Sequence, residues 1–476
     1  MKVQHRSARM PMRILLIMPD AHMHKLRLGP FVRSMREAPL TLTTLAALLP
    51  DEPGIEVKLV DGSVDRIPLD YPADLVGISV ITGCARLAYD MARHFRQRGI
   101  PVVLGGVHVS ILPGEAIGHA DSIVVGRGET AWPRLLEDFR RGRMKRVYRE
   151  HELPDDVLVD VPAPRRDLQR RSGYMMPNTV QATRGCRRAC DFCSVPAVWP
   201  HFLKRPVADV LRDIRDIPSR MVAFNDVSLV DDAEYARELF TAMIPLRKKW
   251  GGLVTADSLQ DTELLDLMAA SGCVYLLVGF ESGDQTTLRG IRKNFNHTLA
   301  YKDLIASLQR RGITIQGCFV FGFDHDDASV FASTVQLVQD LGVDIPRYSL
   351  YTPYPGTALF QRMMDERRIL SFNWDDYDTM HVVIQPAQMT PDELYRGFKW
   401  AYRETFRLPR IVRRVSHPDI RCAINFVGNL CYRIFVRRLY HEPRFAQPYS
   451  LRDPGQPPAP DHWQVPAELE EVLCSV

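Results

Sequence analysis

The stretch Val180-Gln-Ala-Thr-Arg-Gly-Cys-Arg-Arg-Ala-Cys-Asp-Phe-Cys193 joins a short β-type segment to a loop that carries three cysteines. Further β-type runs follow, each separated from the next by enough residues for a helix, at 221–224, 253–255, 274–278, 314–321 and 347–351. Helical patterns occupy 234–249 and 299–311. Six such units predict a partial (β/α)6 barrel of the TIM type over 177–389, with its chemistry at the carboxyl ends of the strands.

The residues before the barrel show the same alternation. The β-type runs lie at 13–17, 55–60, 75–80, 101–104 and 122–125, and helical patterns lie at 41–49 and 86–98. This rhythm predicts a five-stranded, doubly wound, Rossmann-like α/β domain over 12–145. Ligands of such sheets bind at the carboxyl ends of the strands, where this chain places several glycines. The first βα turn lacks G-x-G-x-x-G, which disfavours a dinucleotide.

The remaining segments are less regular. Residues 146–176 are rich in proline and arginine and have no period, so they are predicted to form a linker. Only helical patterns occur after residue 390, which predicts a helical C-terminal region over 390–476. The last part of that region, 443–466, is too rich in proline to be expected to pack on its own.

Composition narrows the classes of function. The 476 residues carry a net charge of only +4, so no global field favours nucleic acid or an acidic substrate. Nine cysteines, six of them scattered, suit a reducing compartment better than a disulfide framework. No apolar run is long enough for a signal peptide or a transmembrane helix, so a cytoplasmic protein is expected.

The triplet Cys186, Cys190 and Cys193 is the strongest chemical signal. Three thiolates on one loop can hold three irons of a cubane cluster and leave the fourth iron open. A structural zinc site would need a fourth ligand nearby, and His201, the only local candidate, fits no common zinc spacing. The pattern therefore favours a 4Fe-4S cluster.

This spacing, with Phe192 as the aromatic before the last cysteine, resembles the radical S-adenosylmethionine (SAM) superfamily. The resemblance implies that the open iron chelates SAM and that an electron from the cluster cleaves the sulfonium to give a 5'-deoxyadenosyl radical. It also implies that Cys186, Cys190 and Cys193 are the protein ligands of the cluster.

Later strand ends resemble other stretches of the same superfamily that contact the bound SAM. Phe224-Asn-Asp226 follows the second strand, and Gly279-Phe-Glu-Ser-Gly283 follows the fourth. Gly317-Cys-Phe-Val-Phe-Gly322 on the fifth strand resembles the part that packs against adenine. The SAM contacts that this resemblance implies are Phe192, Asp226, Glu281, Ser282 and Gly317.

The N-terminal domain resembles the cobalamin-binding domains of this superfamily. The likeness rests on Val103-Leu-Gly-Gly-Val-His108 and on Val124-Val-Gly-Arg-Gly-Glu129, in which Arg127 replaces the usual glutamate. Paired glycines allow a flat corrin to approach the backbone, and hydroxyl groups can bind its amides. The expected cobalamin contacts are Ser79, Thr82, Gly105, Gly106, His108, Gly126, Gly128 and Glu129.

Asp20-Ala-His22 follows the first strand, where base-off cobalamin proteins carry D-x-H-x-x-G with a cobalt-ligating histidine. Lys25 occupies the position of the glycine, so the motif is incomplete. His22 is retained as a candidate cobalt ligand, with a surface turn as the alternative.

Together these resemblances imply a cobalamin-dependent radical SAM methyltransferase that methylates an unactivated carbon of a lipophilic or natural-product substrate, of the hopanoid or bacteriochlorophyll type. In that cycle cob(I)alamin takes a methyl group from one SAM, and a second SAM supplies the radical. The alternative is a radical cyclase like the anaerobic enzyme that closes the fifth chlorophyll ring. A non-enzymatic iron-sulfur or cobalamin sensor is disfavoured, because no DNA-binding module is present.

The expected partners are an electron donor such as flavodoxin or ferredoxin and a small-molecule substrate. The tail adds a membrane hypothesis, because arginines and apolar residues interleave between Tyr402 and Arg438. The alternative is that Ile411, Phe426 and Phe435 fill an interface between tail and barrel while the arginines stay solvated.

Overall fold

The computed structural model describes residues 12–21, 25–28, 31–50, 52–150, 157–158, 161–415 and 421–445. The strands in these ranges are β1 (Met12–Met18), β2 (Lys25–Leu28), β3 (Phe31–Glu37), β4 (Ile55–Asp61), β5 (Leu75–Ser79), β6 (Val102–Gly105), β7 (Ser122–Val125), β8 (Val147–Arg149), β9 (Tyr174–Met176), β10 (Thr179–Val180), β11 (Thr183–Arg184), β12 (Leu203–Lys204), β13 (Met221–Phe224), β14 (Lys249–Thr255), β15 (Cys273–Glu281), β16 (Thr314–Phe321) and β17 (Ile345–Leu350).

The α-helices in the same ranges alternate with these strands through most of the chain. They are α1 (Thr41–Ala47), α2 (Ala85–Gln97), α3 (Val107–Ile111), α4 (Pro113–Ala116), α5 (Gly128–Arg140), α6 (Val195–Val198), α7 (Val207–Arg215), α8 (Ala233–Met243), α9 (Thr262–Ala270), α10 (Gln285–Gly290), α11 (Tyr301–Arg310), α12 (Val330–Asp340), α13 (Ala358–Asp365), α14 (Pro391–Thr405), α15 (Leu408–Val415) and α16 (Arg421–His441).

Three barrel helices begin at aspartates because a short carboxylate can satisfy the free N–H groups of the first turn. Asp232 accepts from Tyr235 N at the start of α8, Asp261 from Leu264 N at α9, and Asp284 from Thr287 N at α10. Each cap lies shortly after a strand end and fixes where the chain turns back along the barrel.

The N-terminal sheet is parallel throughout, with the order β4-β1-β5-β6-β7-β8. Both of its faces are covered. Leu15 and Ile17 of β1 pack in the main core, which includes residues of α2, whereas Ile14 and Leu16 pack with residues of α1 and α5. Continuous burial of this kind is typical of parallel sheets between helices and confirms the doubly wound fold.

The barrel sheet is also parallel, with the order β10-β13-β14-β15-β16-β17. Two of its predicted strands, 221–224 and 314–321, have the observed bounds. The helix predicted over 234–249 ends earlier, at Met243, because Pro245 lies in the next turn and Arg247 adopts a left-handed conformation. The structure confirms the six-stranded α/β barrel architecture.

The predicted linker over 146–176 contains two strands that the sequence pattern did not reveal. β8 adds a sixth strand to the N-terminal sheet, so this sheet extends past the predicted boundary at 145. β9 joins the antiparallel hairpin β2–β3 in a separate three-stranded sheet. The hairpin near the start of the chain is therefore paired with the strand that leads into the barrel.

The C-terminal helices pack on the last two barrel strands. Asn425 accepts from Thr314 Oγ1 at 2.9 Å and donates to Asp344 at 2.7 Å, and Gln316 donates to Tyr432 Oη at 2.9 Å. Ile411 and Phe435 are buried, as the interface hypothesis predicted, but Phe426 is 53% exposed, so its predicted place in that interface is wrong. Among the described helices none has the length and apolar character to span a membrane.

Candidate active site

The cysteine loop begins one residue after β11 and depends on a glycine. Gly185 has φ +88°, and a Cβ there would overlap the carbonyl oxygen of His201. Within the loop, Arg188 N donates to Cys186 Sγ at 3.4 Å and Cys193 N donates to Cys190 O at 3.2 Å. All three cysteines carry free, half-buried thiols on one turn at the carboxyl end of the barrel sheet.

Asp226 fixes the base of this loop. Its buried carboxylate accepts from Ala182 N at 3.1 Å, from Thr183 N, and from Thr183 Oγ1 at 2.7 Å. Burial raises its pKa to about 6, although these hydrogen bonds favour the charged form. The carboxylate predicted to contact SAM is thus engaged with the chain that leads into the cysteine loop, and its SAM contact stays a prediction.

The middle of the loop is anchored on the opposite side of the barrel. Asp191 N donates to Ile291 O at 3.2 Å, and the Asp191 carboxylate accepts from Tyr351 Oη at 3.0 Å. The ring of Phe192 packs edge-on against Tyr351, with 6.1 Å between centroids. Tyr351 directly follows β17, so the first and last barrel strands both position the loop.

Glu281 is the most unusual backbone position in the site. It has φ +64° at an irregularity between β15 and β16, and its carboxylate accepts from Lys293 Nζ at 2.6 Å in a buried ion pair. A Cβ on Gly279 would overlap the Glu281 carboxylate and lie 2.9 Å from Lys293 Nζ. Strained backbone of this kind is found where a functional side chain has to be held in place.

Lys293 was not predicted from the sequence. Burial lowers its pKa, but the negative charge of Glu281 and of the Cys190 side chain outweighs burial and raises it. In return, Lys293 opposes the effect of burial on Cys190, whose pKa is nevertheless raised to about 12. The ammonium group thus pairs with the predicted SAM ligand Glu281 and also interacts electrostatically with the predicted cluster ligand Cys190.

The other two predicted SAM contacts differ in position. Ser282 is half-exposed, and its Oγ accepts from Asp284 N at 3.0 Å. Gly317 faces the helices, because a Cβ there would lie 2.8 Å from Val343 and 3.2 Å from Phe280. A side chain at this position would point away from the barrel interior, so Gly317 can contact a ligand there only through its backbone.

Several buried polar atoms around the loop have no hydrogen-bond partner among the residues that the structure describes. A few such atoms occur in any native protein, but a group of them in one place points to a missing polar ligand. They are Arg188 Nε, Asp191 Oδ1, Ser228 Oγ, Asp231 Oδ1, Asp257 Oδ1 and Asn296 Oδ1. Three thiols and this polar surround fit an iron-sulfur cluster with a charged, polar molecule bound beside it.

Within the described ranges no three His, Cys, Asp or Glu side chains converge on one metal ion. A cubane cluster does not require such convergence, because each thiolate binds a different iron.

The glycine turns at the carboxyl end of the N-terminal sheet form a second concave edge. Gly106 has φ +99°, and a Cβ there would lie 2.8 Å from the backbone nitrogen and oxygen of Val80. Ser110 Oγ links the two turns, donating to Gly106 O at 2.9 Å and accepting from Gly126 N at 3.0 Å. Gly105, Gly106, Gly126, Gly128 and Glu129 keep accessible surface here, whereas Ser79 and Thr82 are buried. This glycine-lined edge fits a large flat ligand.

His108 and Glu129 connect the two halves of the molecule. His108 is fully buried, lies 3.3 Å from Thr82 Oγ1 and packs edge-on against Trp374, whose indole N–H donates to Glu115 at 3.1 Å. Glu129 accepts from Arg184 at 2.7 Å, and Arg184 lies two residues before Cys186. Both residues were predicted as cobalamin contacts; the structure places them between the glycine edge and the barrel. His22 lies outside the described residues.

Two family models match the chain. The model of the radical SAM superfamily matches residues 180–337, and that of the B12 binding domain matches residues 32–136. The first range contains the cysteine loop and Glu281, and the second contains the whole glycine edge.

Two relatives match most of the chain. The bacteriochlorophyllide d C-12(1)-methyltransferase of Chlorobaculum tepidum is 30% identical over 393 residues, covering 79% of this chain and 85% of that protein. The anaerobic magnesium-protoporphyrin IX monomethyl ester cyclase of Rubrivivax gelatinosus is 25% identical and covers 83% of this chain and 77% of that protein.

A solved structure has the same architecture. The radical S-adenosylmethionine methyltransferase TsrM from Kitasatospora setae, with cobalamin and a 4Fe-4S cluster bound, superposes with a TM-score of 0.60. It covers 75% of this chain and 78% of that chain at 19% identity, a likeness of fold.

Proposed function

Because this chain belongs to the cobalamin-dependent radical SAM methyltransferase family, with a 4Fe-4S cluster, SAM and cobalamin as cofactors, we propose that it methylates an unactivated carbon of a small molecule bound inside the barrel. The observation that carries this proposal is the Arg184–Glu129 ion pair. It joins the strand before the cysteine loop to the glycine edge, which supports the proposal that both cofactors bind around one space.

Cys186, Cys190 and Cys193 are the proposed cluster ligands. When bound, the cluster supplies the electron that cleaves SAM, and cobalamin carries the methyl group. The loop that carries the three thiols is held in position by hydrogen bonds from its base to Asp226 and from Tyr351 to its middle.

Glu281 and Ser282 are the proposed side-chain contacts to SAM, with the ring of Phe192 and the backbone of Gly317 beside them. Lys293 neutralises Glu281 and keeps its carboxylate close to the loop, 2.6 Å from the ammonium nitrogen. We assign Lys293 a positioning role, because it acts through Glu281.

Gly105, Gly106, Gly126 and Gly128 are the proposed cradle of the corrin, with Ser79 and Thr82 beneath it. Gly106 fits this role because its backbone already lies against Val80, where a side chain would force the turn away. His108 and Glu129 hold the cradle against the barrel, through Trp374 and Arg184 respectively.

Counting products tests the proposal. Methylation should yield S-adenosylhomocysteine together with 5'-deoxyadenosine, since two SAM molecules serve different steps. A cyclase, the second candidate because a cyclase relative matches 83% of the chain, would form 5'-deoxyadenosine without S-adenosylhomocysteine. Deoxyadenosine without S-adenosylhomocysteine in the presence of substrate would overturn methyl transfer.

The proposal includes two contacts outside the site. A one-electron donor such as flavodoxin or ferredoxin must dock close to the cysteine loop. The apolar side chains Leu408, Val412, Phe426, Val427 and Leu430 are exposed on α15 and α16, beside arginines, and support contact with an anionic membrane. Sedimentation with anionic and with neutral vesicles tests this contact, which Phe426→Ser with Leu430→Ser should weaken.

A further inference from the structure

The C-terminal helix α16 covers the inner face of β16 and β17 near their amino ends, through Thr314, Gln316 and Ile345. Towards the carboxyl ends of β15, β16 and β17 the residues that face the surrounding helices are buried, while the alternating residues that face inward keep accessible surface. The inward residues in this part are Leu277, Gly279, Cys318, Val320, Arg347 and Ser349. A closed TIM barrel packs this space with its own layers, so the open interior here is room for a ligand.

Arg347 belongs to a row of side chains at one height inside the barrel. The strand register aligns Thr255 with Gly279, Gly279 with Cys318, and Cys318 with Arg347. Neighbouring strands lie about 4.8 Å apart, so Arg347 is roughly 10 Å from Gly279. Gly279 directly underlies the Glu281–Lys293 pair, so Arg347 faces the space beside the proposed SAM site.

No acid in the described part of the chain forms an ion pair with Arg347. Arg347 makes no ion pair or hydrogen bond within the described residues, and its buried Nε has no partner. Burial lowers its pKa, but the side chains of Tyr432, Cys318, Tyr402 and Tyr275 raise it, so the guanidinium stays charged. Glu37 influences the same two tyrosines, Tyr275 and Tyr432, without pairing with Arg347. A deep cation without a counter-ion is costly and marks a site for an anion.

We propose that Arg347 binds a carboxylate of the methyl acceptor and so orients an otherwise apolar molecule inside the barrel. This inference rests on the proposed function and narrows its substrate class: the acceptor is an apolar body with an acidic group, and a neutral hydrocarbon skeleton is excluded. A monoanion matches the single charge of Arg347, and a guanidinium can bind a carboxylate through two parallel hydrogen bonds. Leu277 and Val320, on the same inner face, would contact the apolar part.

The reactivity of the Cys318 thiol can be used to detect the charge of Arg347 in the absence of catalysis, because Cys318 lies beside Arg347 on the neighbouring strand. The probes are iodoacetate, an anion, and iodoacetamide, its neutral counterpart, applied anaerobically to the cluster-loaded holoenzyme. Alkylation at each cysteine is followed by peptide mass spectrometry. The ratio of the two rates cancels any effect on the thiol itself, and half-buried Cys422 on α16 serves as the internal control.

We expect the iodoacetate-to-iodoacetamide ratio at Cys318 to exceed that at Cys422 by about 10-fold, because a nearby cation concentrates the anionic reagent. Arg347→Gln should remove this preference, and Arg347→Lys should retain most of it, which separates lost charge from disturbed packing. Octanoate should protect Cys318 at about 10-fold lower concentration than octanamide in the wild type only.

A Cys318 that reacts equally with both reagents, that reacts with neither, or that keeps its preference in Arg347→Gln would overturn the assignment. Failure of the methyltransferase proposal would be seen separately, in the count of S-adenosylhomocysteine, since alkylation requires no catalysis.

Discussion

The two six-stranded parallel sheets of this protein differ in how many of their faces are covered by other elements. In the N-terminal sheet, β5 is buried at every position and helices cover both sides, so only the edge at the strand ends remains for a ligand. In the barrel sheet, β17 alternates between buried and accessible positions towards its carboxyl end, so part of one face is available as well as the edge. The first sheet can only support a ligand that lies on top of it, whereas the second can enclose one.

This difference assigns different tasks to the two sheets. A corrin is too large to be enclosed by a sheet packed on both sides, but it can rest on glycine turns such as Gly106. A substrate that has to be shielded from water while a radical reacts needs the enclosed face. Mutations that act on one sheet and leave the other intact test this assignment of tasks directly.

The largest effect is expected at the cysteine loop. Cys190→Ala or Cys193→Ala should abolish the brown chromophore and all deoxyadenosine formation, since each thiolate is one of only three protein ligands. Iron content and the absorption spectrum of anaerobically purified protein measure the loss. Cys273→Ala, at a buried cysteine elsewhere on the barrel, should leave iron unchanged. A Cys193→Ala protein with full iron would refute the ligand assignment.

The next effect concerns the helices that close the barrel sheet. Phe435 is 2% exposed and packs with its ring centroid 5.6 Å from that of Tyr402, so Phe435→Ala should lower the free energy of unfolding by about 3–5 kcal/mol. Phe426→Ala on the same helix should change it by less than about 0.5 kcal/mol, because that side chain is 53% exposed. Denaturant unfolding of the two variants compares them directly, and equal losses would contradict the packing described for α16.

A smaller effect is expected where the open face meets the site. Gly279→Ala should force the Glu281 carboxylate away from its place and reduce the rate of deoxyadenosine formation about 100-fold, since a shift of about 1 Å can cost that much. Gly290→Ala is the matched control, because no atom lies within 4 Å of the added methyl group. The melting temperature should distinguish a misplaced carboxylate from a misfolded barrel. An active Gly279→Ala enzyme would remove the case for Glu281.

The smallest effect is expected at the edge of the closed sheet. Gly106→Ala introduces strain of about 1–3 kcal/mol at a left-handed position and a contact with the backbone of Val80. Cobalamin retention should fall about 10-fold, equivalent to about 1.4 kcal/mol. Gly118→Ala, with open space around it, should bind cobalamin normally. Retention that is unchanged in Gly106→Ala would place the corrin elsewhere.

The sequence was most informative where the chemistry is local. The cysteine triplet is contained in eight residues, and β13 and β16 are bounded by clear changes in pattern, so these were predicted closely. Lys293 and Arg347 were missed because their importance depends on partners in space. Lys293 contacts Glu281 only because the backbone turns at Glu281, where φ is +64°. Arg347 is significant because no acid among the described residues pairs with it and its buried Nε has no partner.

Short strands were missed for a related reason. β8 has three residues in an arginine-rich stretch, and β9 has three in a segment that otherwise resembles a linker. Neither has a period that could be recognised, because pairing with distant strands determines its conformation. The structural roles of Asp226 and His108 likewise could not be predicted from the spacing of residues in the sequence, because both depend on contacts with other elements.

The small sheet formed by β2, β3 and β9 has a consequence for how the molecule unfolds. Ser34 pairs with Tyr174, and Ala38 N donates to Met176 O at 2.9 Å, so a hairpin near the start of the chain is paired to the strand that leads into the barrel. The hairpin and the strand before the barrel cannot separate without breaking this ladder, which couples the two halves that they adjoin. Scanning calorimetry should therefore record one heat-absorption peak for both halves, and the two cofactor sites should lose their geometry together on heating.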